Sequence, residues 1–156
     1  SIAVRFTEED LAAIDGALSV LEQRFGKLVS LDAKERQRLF KMGNKTEKFC
    51  RETLHVLDKK RQLVPPAMDL TRALTGLQTI DQLRLRSKQV LRLAERMRDT
   101  ELALGAEVAT TARQGYNAMG EYGDQHGLEG MRQMLSVRFK KQKSSANDDV
   151  GDAGAA

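Results

Sequence analysis

Both prolines of this chain stand side by side, at Pro65-Pro66, and on either side of them apolar residues recur at helical spacing. Proline fixes φ, has no amide hydrogen to donate and drives the residue before it out of the helical region. One helix therefore has to end before Pro65 and another to begin beyond Pro66. The pattern predicts an all-α chain, an up-and-down helical bundle of four main helices with the second kinked near Gly43, plus a short C-terminal helix.

The first helix is announced at Thr7, an N-cap followed by Glu8, Glu9 and Asp10, with Asp10 as a short-armed capping-box acid. Leu11, Ile14, Leu18, Leu21, Phe25 and Leu28 then step by three and four, the spacing of a seam that packs along another helix. Asp32 and Glu35 start the next helical stretch. It runs to Leu63 as one helix kinked near Gly43, or as two in sequence with a fresh cap at Asn44 to Glu47. Its second half is expected to bury Phe49, Cys50, Thr53, Val56 and Leu57.

Beyond Asp69, another N-cap, one apolar register runs Ala73, Gly76, Ile80, Leu83, Ser87, Val90, Ala94 and Met97. An offset register runs Leu102, Gly105, Ala109, Ala112, Tyr116 and Met119. A single helix from Asp69 to Tyr122 would be about 80 Å long, so a turn near Arg98-Asp99-Thr100 is expected. The small residues Gly105, Ala109 and Ala112 would admit a close neighbour. Leu128 to Lys141 is expected to form the short last helix, with Met131, Leu135 and Phe139 inward. Residues 1–143 thus read as one bundle domain and 144–156 as a disordered C-terminal tail of small and polar residues.

With 156 residues, 40% hydrophobic but only 4% aromatic and no Trp, the core has to be built from aliphatic side chains and Met. The formal charge of +4 understates the body, because Asp148, Asp149 and Asp152 lie in a tail that carries no base. One cysteine, Cys50, allows neither an internal disulfide nor a thiolate zinc site, which points to a reducing, cytoplasmic setting. No stretch approaches the roughly 20 apolar residues of a membrane span, and Ser1 to Phe6 has no signal-peptide pattern. The chain opens without Met, so a trimmed or processed N-terminus is expected.

Glu52 and His55 form a Glu-x-x-His pair, which in di-iron bundles places two ligands on one helix face. A second such pair is missing, since His126 has no Glu three residues before it. His55 also falls opposite the apolar face, so no metal site and no cofactor is expected. Cys50 and His55 lie on different faces, which leaves Cys50 an inert thiol rather than a nucleophile. Neither a phosphate-binding loop nor a nucleophile elbow occurs, and the chain reads as non-enzymatic.

The most distinctive polar feature lies between Arg84 and Arg98. Arg84, Lys88, Arg92 and Arg96 recur every fourth residue as a basic stripe opposite the Leu83, Val90, Ala94 and Met97 seam. Its like charges repel unless acids on the preceding helix or a phosphate-bearing partner offset them. A second basic cluster, Arg138, Lys140, Lys141 and Lys143, borders the tail. Aromatic rings for base stacking are few, with Tyr122 the freest, and no helix-turn-helix is evident.

The expected function is protein-protein association by a helical adaptor, assembly or structural subunit, with a homo-oligomer among the forms such a subunit takes. The alternative is an anion-binding module whose Arg84, Lys88, Arg92 and Arg96 contact nucleic-acid phosphates without sequence readout, or an acidic partner.

Overall fold

In the computed structural model the backbone is described for residues 1–126 and 129–151, and side chains for residues 1–121 and 129–143. The described residues are mostly helical and contain no strand: α1 (Glu8–Arg24), α2 (Ala33–Arg38), α3 (Asn44–Lys59), a 3-10 turn at Arg61–Leu63, α4 (Leu70–His126) and α5 (Glu129–Gly151). The chain divides into two units, one of residues 3–95 and the other of residues 96 onward with Ser1 and Ile2.

Three helix starts follow from their sequences. Thr7 accepts from the Asp10 amide at 3.0 Å while its own amide donates to the Asp10 carboxylate at 2.9 Å, closing a capping box. Asp32 and Glu35 close a second box, both bonds at 2.8 Å. Asp69 accepts from the Arg72 amide at 2.9 Å at the head of α4.

The stretch from Asp32 to Leu63 resolves into two helices rather than one with a kink, since Leu39 is extended where α2 ends. Gly43, not Asn44, is the N-cap of α3, and it supplies no side-chain hydrogen bond. Glu47, expected to belong to that cap, is engaged elsewhere by arginines.

Between α3 and α4 the chain reverses through the 3-10 turn and the Pro65-Pro66 segment, where the Met68 amide donates to the Pro65 carbonyl at 3.0 Å. Two tertiary pairs fix the direction of the helices: Glu47 with Arg84, and Arg51 with Asp81. As the α3 residue number rises the α4 number falls by nearly the same amount, so the two run antiparallel. Continuing that register sets Leu54 near Leu77 and Leu57 near Leu74, and all four are half-buried. Leu70, at the closed end, is 4% exposed and is the one buried residue among those described.

The buried side of α3 differs from the expected one. Cys50, Thr53 and Leu57 are half-buried as expected, but Phe49 and Val56 are exposed, and Thr46, Glu47, Arg51 and Leu54 take their place. The face is turned by about 70° around the helix at 3.6 residues per turn. Apolar spacing alone does not see this, because two arginines paired with two acids occupy part of the covered side.

α4 continues without a break through Arg98-Asp99-Thr100, where a turn was expected. Thr100 behaves as an interior helix residue, its hydroxyl donating to the Arg96 carbonyl at 2.7 Å, and no Gly or Pro is present there to stop the ladder. The register expected to face inward along α4 is covered only in part. Ala73, Ile80, Leu83 and Ala94 are half-buried, while Val90 and Met97 are exposed. By the antiparallel register the start of α3 at Asn44 falls opposite about residue 87 of α4, so α3 does not extend alongside Val90.

In the second unit the Ile2 amide donates to Glu107 at 3.0 Å. Arg132 of α5 stacks over the Tyr116 ring of α4 at 4.6 Å, beside Gly120, whose missing Cβ would stand 2.8 Å from the guanidinium carbon. The α5 side that is half-buried carries Glu129, Arg132 and Ser136, and the expected inward residues Met131, Leu135 and Phe139 are exposed. Nor do Gly105, Ala109 and Ala112 take a close neighbour among the described residues: all three are exposed, and none of those residues stands within 4 Å of a Cβ placed at Gly105. α5 is helical beyond Lys143, where the tail was expected to begin; residues 152–156, Leu128 and the side chains of Tyr122 and His126 lie outside the described residues.

Candidate functional site

The sequence directs attention to the basic stripe, and its members have different surroundings. Arg84 pairs with Glu47 of α3 and keeps about half of its side-chain surface in water, 49%. Lys88 and Arg92 are exposed, and neither has an acidic partner among the described residues. Arg96 is exposed as well and belongs to the second unit. The expectation that acids on the preceding helix offset the stripe holds at Arg84 alone.

Around Arg84 the charges form a closed set. Arg51 reaches both oxygens of Asp81, at 2.6 and 3.0 Å, and Glu47 at 3.1 Å, while Glu47 also takes Arg84. Glu47 is the most enclosed member, its side chain 18% exposed. Hydrogen bonds from Arg84 and then Arg51 hold the Glu47 carboxyl below its usual range. Arg51 does the same to Asp81, and Asp81, followed by Glu47, raises the Arg51 guanidinium. With both cations already occupied, this network can hold a hairpin together but presents no free cation to a ligand.

His55 and Glu52 are exposed, and no cluster of three or more metal-ligating side chains occurs among the described residues. Cys50 is half-buried within the covered side of α3.

A feature the basic stripe does not contain stands out on α1. Every residue from Glu8 to Arg24 is exposed, including the seam of Leu11, Ile14, Leu18 and Leu21. Leu18 presents 53% of its surface. The seam itself was legible in the sequence; its lack of a partner within the chain was not, because periodicity reports that a face needs covering without saying by what. Leu85, Val90, Leu91 and Leu93 of α4 are also exposed. Scattered exposed apolar side chains need no explanation, whereas those of α1 recur at a regular helical spacing. No helix among the described residues is long and apolar enough to cross a membrane.

No protein-family model matches the chain, and no curated protein and no solved structure matches it.

Proposed function

We propose that this protein is a non-enzymatic association module, a helical adaptor or assembly subunit that contributes helices to a larger bundle. The observation that carries the reading is the α1 seam, regular over Leu11, Ile14, Leu18 and Leu21 and exposed at each position. Fully burying an exposed leucine or isoleucine side chain is worth about 1.5–3 kcal/mol, and these four present 42–53% of their surface, so a matching helix would gain roughly half of that at each position it covers. In this reading the four-helix packing that the seams call for is completed between chains rather than within one. The lone Cys50 supports a reducing, cytoplasmic setting for it.

The test is affinity capture from lysate with wild type and with Leu18→Asp, with nuclease present and at two salt concentrations. Partners retained by wild type after nuclease and lost with Leu18→Asp support the reading. Equal capture by both sinks it.

A second reading, anion binding, draws support from Lys88 and Arg92, which lack acids to neutralise them among the described residues. It requires binding to nucleic acid or a polyanion that weakens steeply as salt rises, and Lys88→Gln with Arg92→Gln should flatten that dependence.

A further inference from the structure

We infer that the occupant of the α1 seam is a second copy of this chain, whose α4 receives it in parallel along the Ala73 to Ser87 register, on the side of the α3–α4 hairpin away from the Arg51–Asp81 pair. This rests on the association reading above and names its partner.

The charges on α1 select the partner's chemistry. Glu8, Asp15 and Glu22 recur every seven residues along one edge of the seam, the position that chooses partners in coiled coils. None of the three has a cationic partner among the described residues. Asp15 and Glu22 also lack a Lys or Arg three or four residues away, so their own helix cannot neutralise them. Glu22 stands in the last turn of α1, where an acid opposes the helix dipole. Two α1 helices laid together would set acid against acid: antiparallel, the row meets itself; parallel, Asp10 meets Asp15. The covering face has to be apolar through its middle and basic along one edge.

The open side of the hairpin has that form. At 3.6 residues per turn Ala73, Gly76, Ile80, Leu83 and Ser87 fall within an arc of about 80° on α4, and no charged residue of the stretch 72–88 lies inside it. Arg72, Thr79 and Arg86 follow one edge of the arc. All three are exposed, and neither arginine has an acidic partner among the described residues. With Leu11 and Ala73 each taken as position a of a heptad, the acidic row is e and the basic row is g, the two edges that face each other in a parallel pair. The lengths agree, since Glu8 to Glu22 and Arg72 to Arg86 each span fourteen residue steps, about 21 Å.

Shape agrees as well. Large side chains on α1 would meet small ones on α4 at Ala73, Gly76 and Ser87, and none of the described residues stands within 4 Å of a Cβ placed at Gly76. The register that sets Arg51 across from Asp81 also sets Phe49 across from Leu83 and Val56 across from Gly76. Each of these four lies about 140–160° around its helix from the member of the charge pair on that helix. Phe49 and Val56, exposed on α3, therefore wall the same groove as the α4 register, whose Ala73, Ile80 and Leu83 are only half-buried. Every residue of α1 is exposed, so the groove is not filled in cis.

The test is sedimentation equilibrium on the full chain. Wild type should be a reversible dimer whose Kd rises about tenfold or more from low to moderate salt. At concentrations where wild type is dimeric, a chain carrying Asp15→Lys and Glu22→Lys should be monomeric, as should one carrying Arg72→Glu and Arg86→Glu. Mixed in equal amounts, they should recover the dimer, because each mixed contact then joins opposite charges. A monomeric wild type, variants that still dimerise alone, or folded variants that stay apart when mixed would each overturn the inference. Should a reversal cost helicity by circular dichroism, Gly76→Arg decides, since arginine favours a helix over glycine and the site is open: a dimer weakened about tenfold or more supports the pairing, an unchanged one refutes it. A monomeric wild type whose captured partner is lost with Leu18→Asp refutes this pairing alone, whereas capture unaffected by Leu18→Asp removes the association reading itself.

Discussion

Two amphipathic helices of nearly equal length, α1 and α3, sit in the same unit with opposite fates. α1 has the better local start, with a reciprocal capping box and a seam in steps of three and four, yet none of its residues is covered. α3 begins at a glycine that supplies no side-chain cap, yet it is joined to α4 by a four-residue charge network and a half-buried apolar strip. Local signals determine whether a segment becomes a helix. What it packs against depends on the connection, and only α3 is tethered by a short proline turn to a helix running back along it.

The sharpest way to break this comparison is to place one charge in each region. Leu70→Asp buries an unpaired carboxylate at the closed end of the hairpin and should cost about 3 kcal/mol or more, read as loss of amide protection across residues 44–83. Leu18→Asp, at an exposed position, should leave the stability of the dilute chain within about 0.5 kcal/mol of wild type. Similar losses from both would mean that α1 has a partner inside the chain.

Acid should separate the two regions next. Glu47 and Asp81 have folded pKa values below their unfolded ones, because Arg84 and Arg51 hydrogen-bond to their ionised forms. Their contribution is therefore complete above the ordinary carboxylate range and is lost as pH falls through the lowered folded values. The hairpin should loosen over that acid window, as followed by tertiary chemical shifts, and Glu47→Gln should flatten the response. Asp10, lowered chiefly by the Thr7 backbone hydrogen bond, carries the same sign, so the start of α1 should fray in acid while the solvation of its seam stays unchanged.

The most local of these effects belongs to the cap. Thr7→Ala removes the acceptor for the Asp10 amide and should lower the stability of α1 by about 1 kcal/mol, visible as fraying of residues 8–11 with no change in the hairpin.

The helical class, the starts at Thr7, Asp32 and Asp69 and the reversal at Pro65-Pro66 were all legible, because each is written in a few adjacent residues. The covered faces were less so. On α3 the count of apolar positions favoured Phe49 and Val56, whereas Glu47 and Arg51 lie on the covered side because Asp81 and Arg84, some thirty residues away, satisfy them. On α5 Arg132 is set over Tyr116, and apolar periodicity assigned a side about 90° away around the helix. Gly120, whose lack of a side chain makes room for the guanidinium, lies beside that stacking. The basic stripe was located by its spacing, but the difference between Arg84, which has an acid, and Lys88 and Arg92, which have none among the described residues, required coordinates.

Amide hydrogen exchange on the full chain, compared between dilute and concentrated solution, tests most directly whether the α1 seam is filled from outside. The account predicts that residues 8–24 exchange freely when dilute and become protected when concentrated, while residues 44–83 are protected throughout. Protection of residues 8–24 equal to that of the hairpin at the lowest concentration would contradict it.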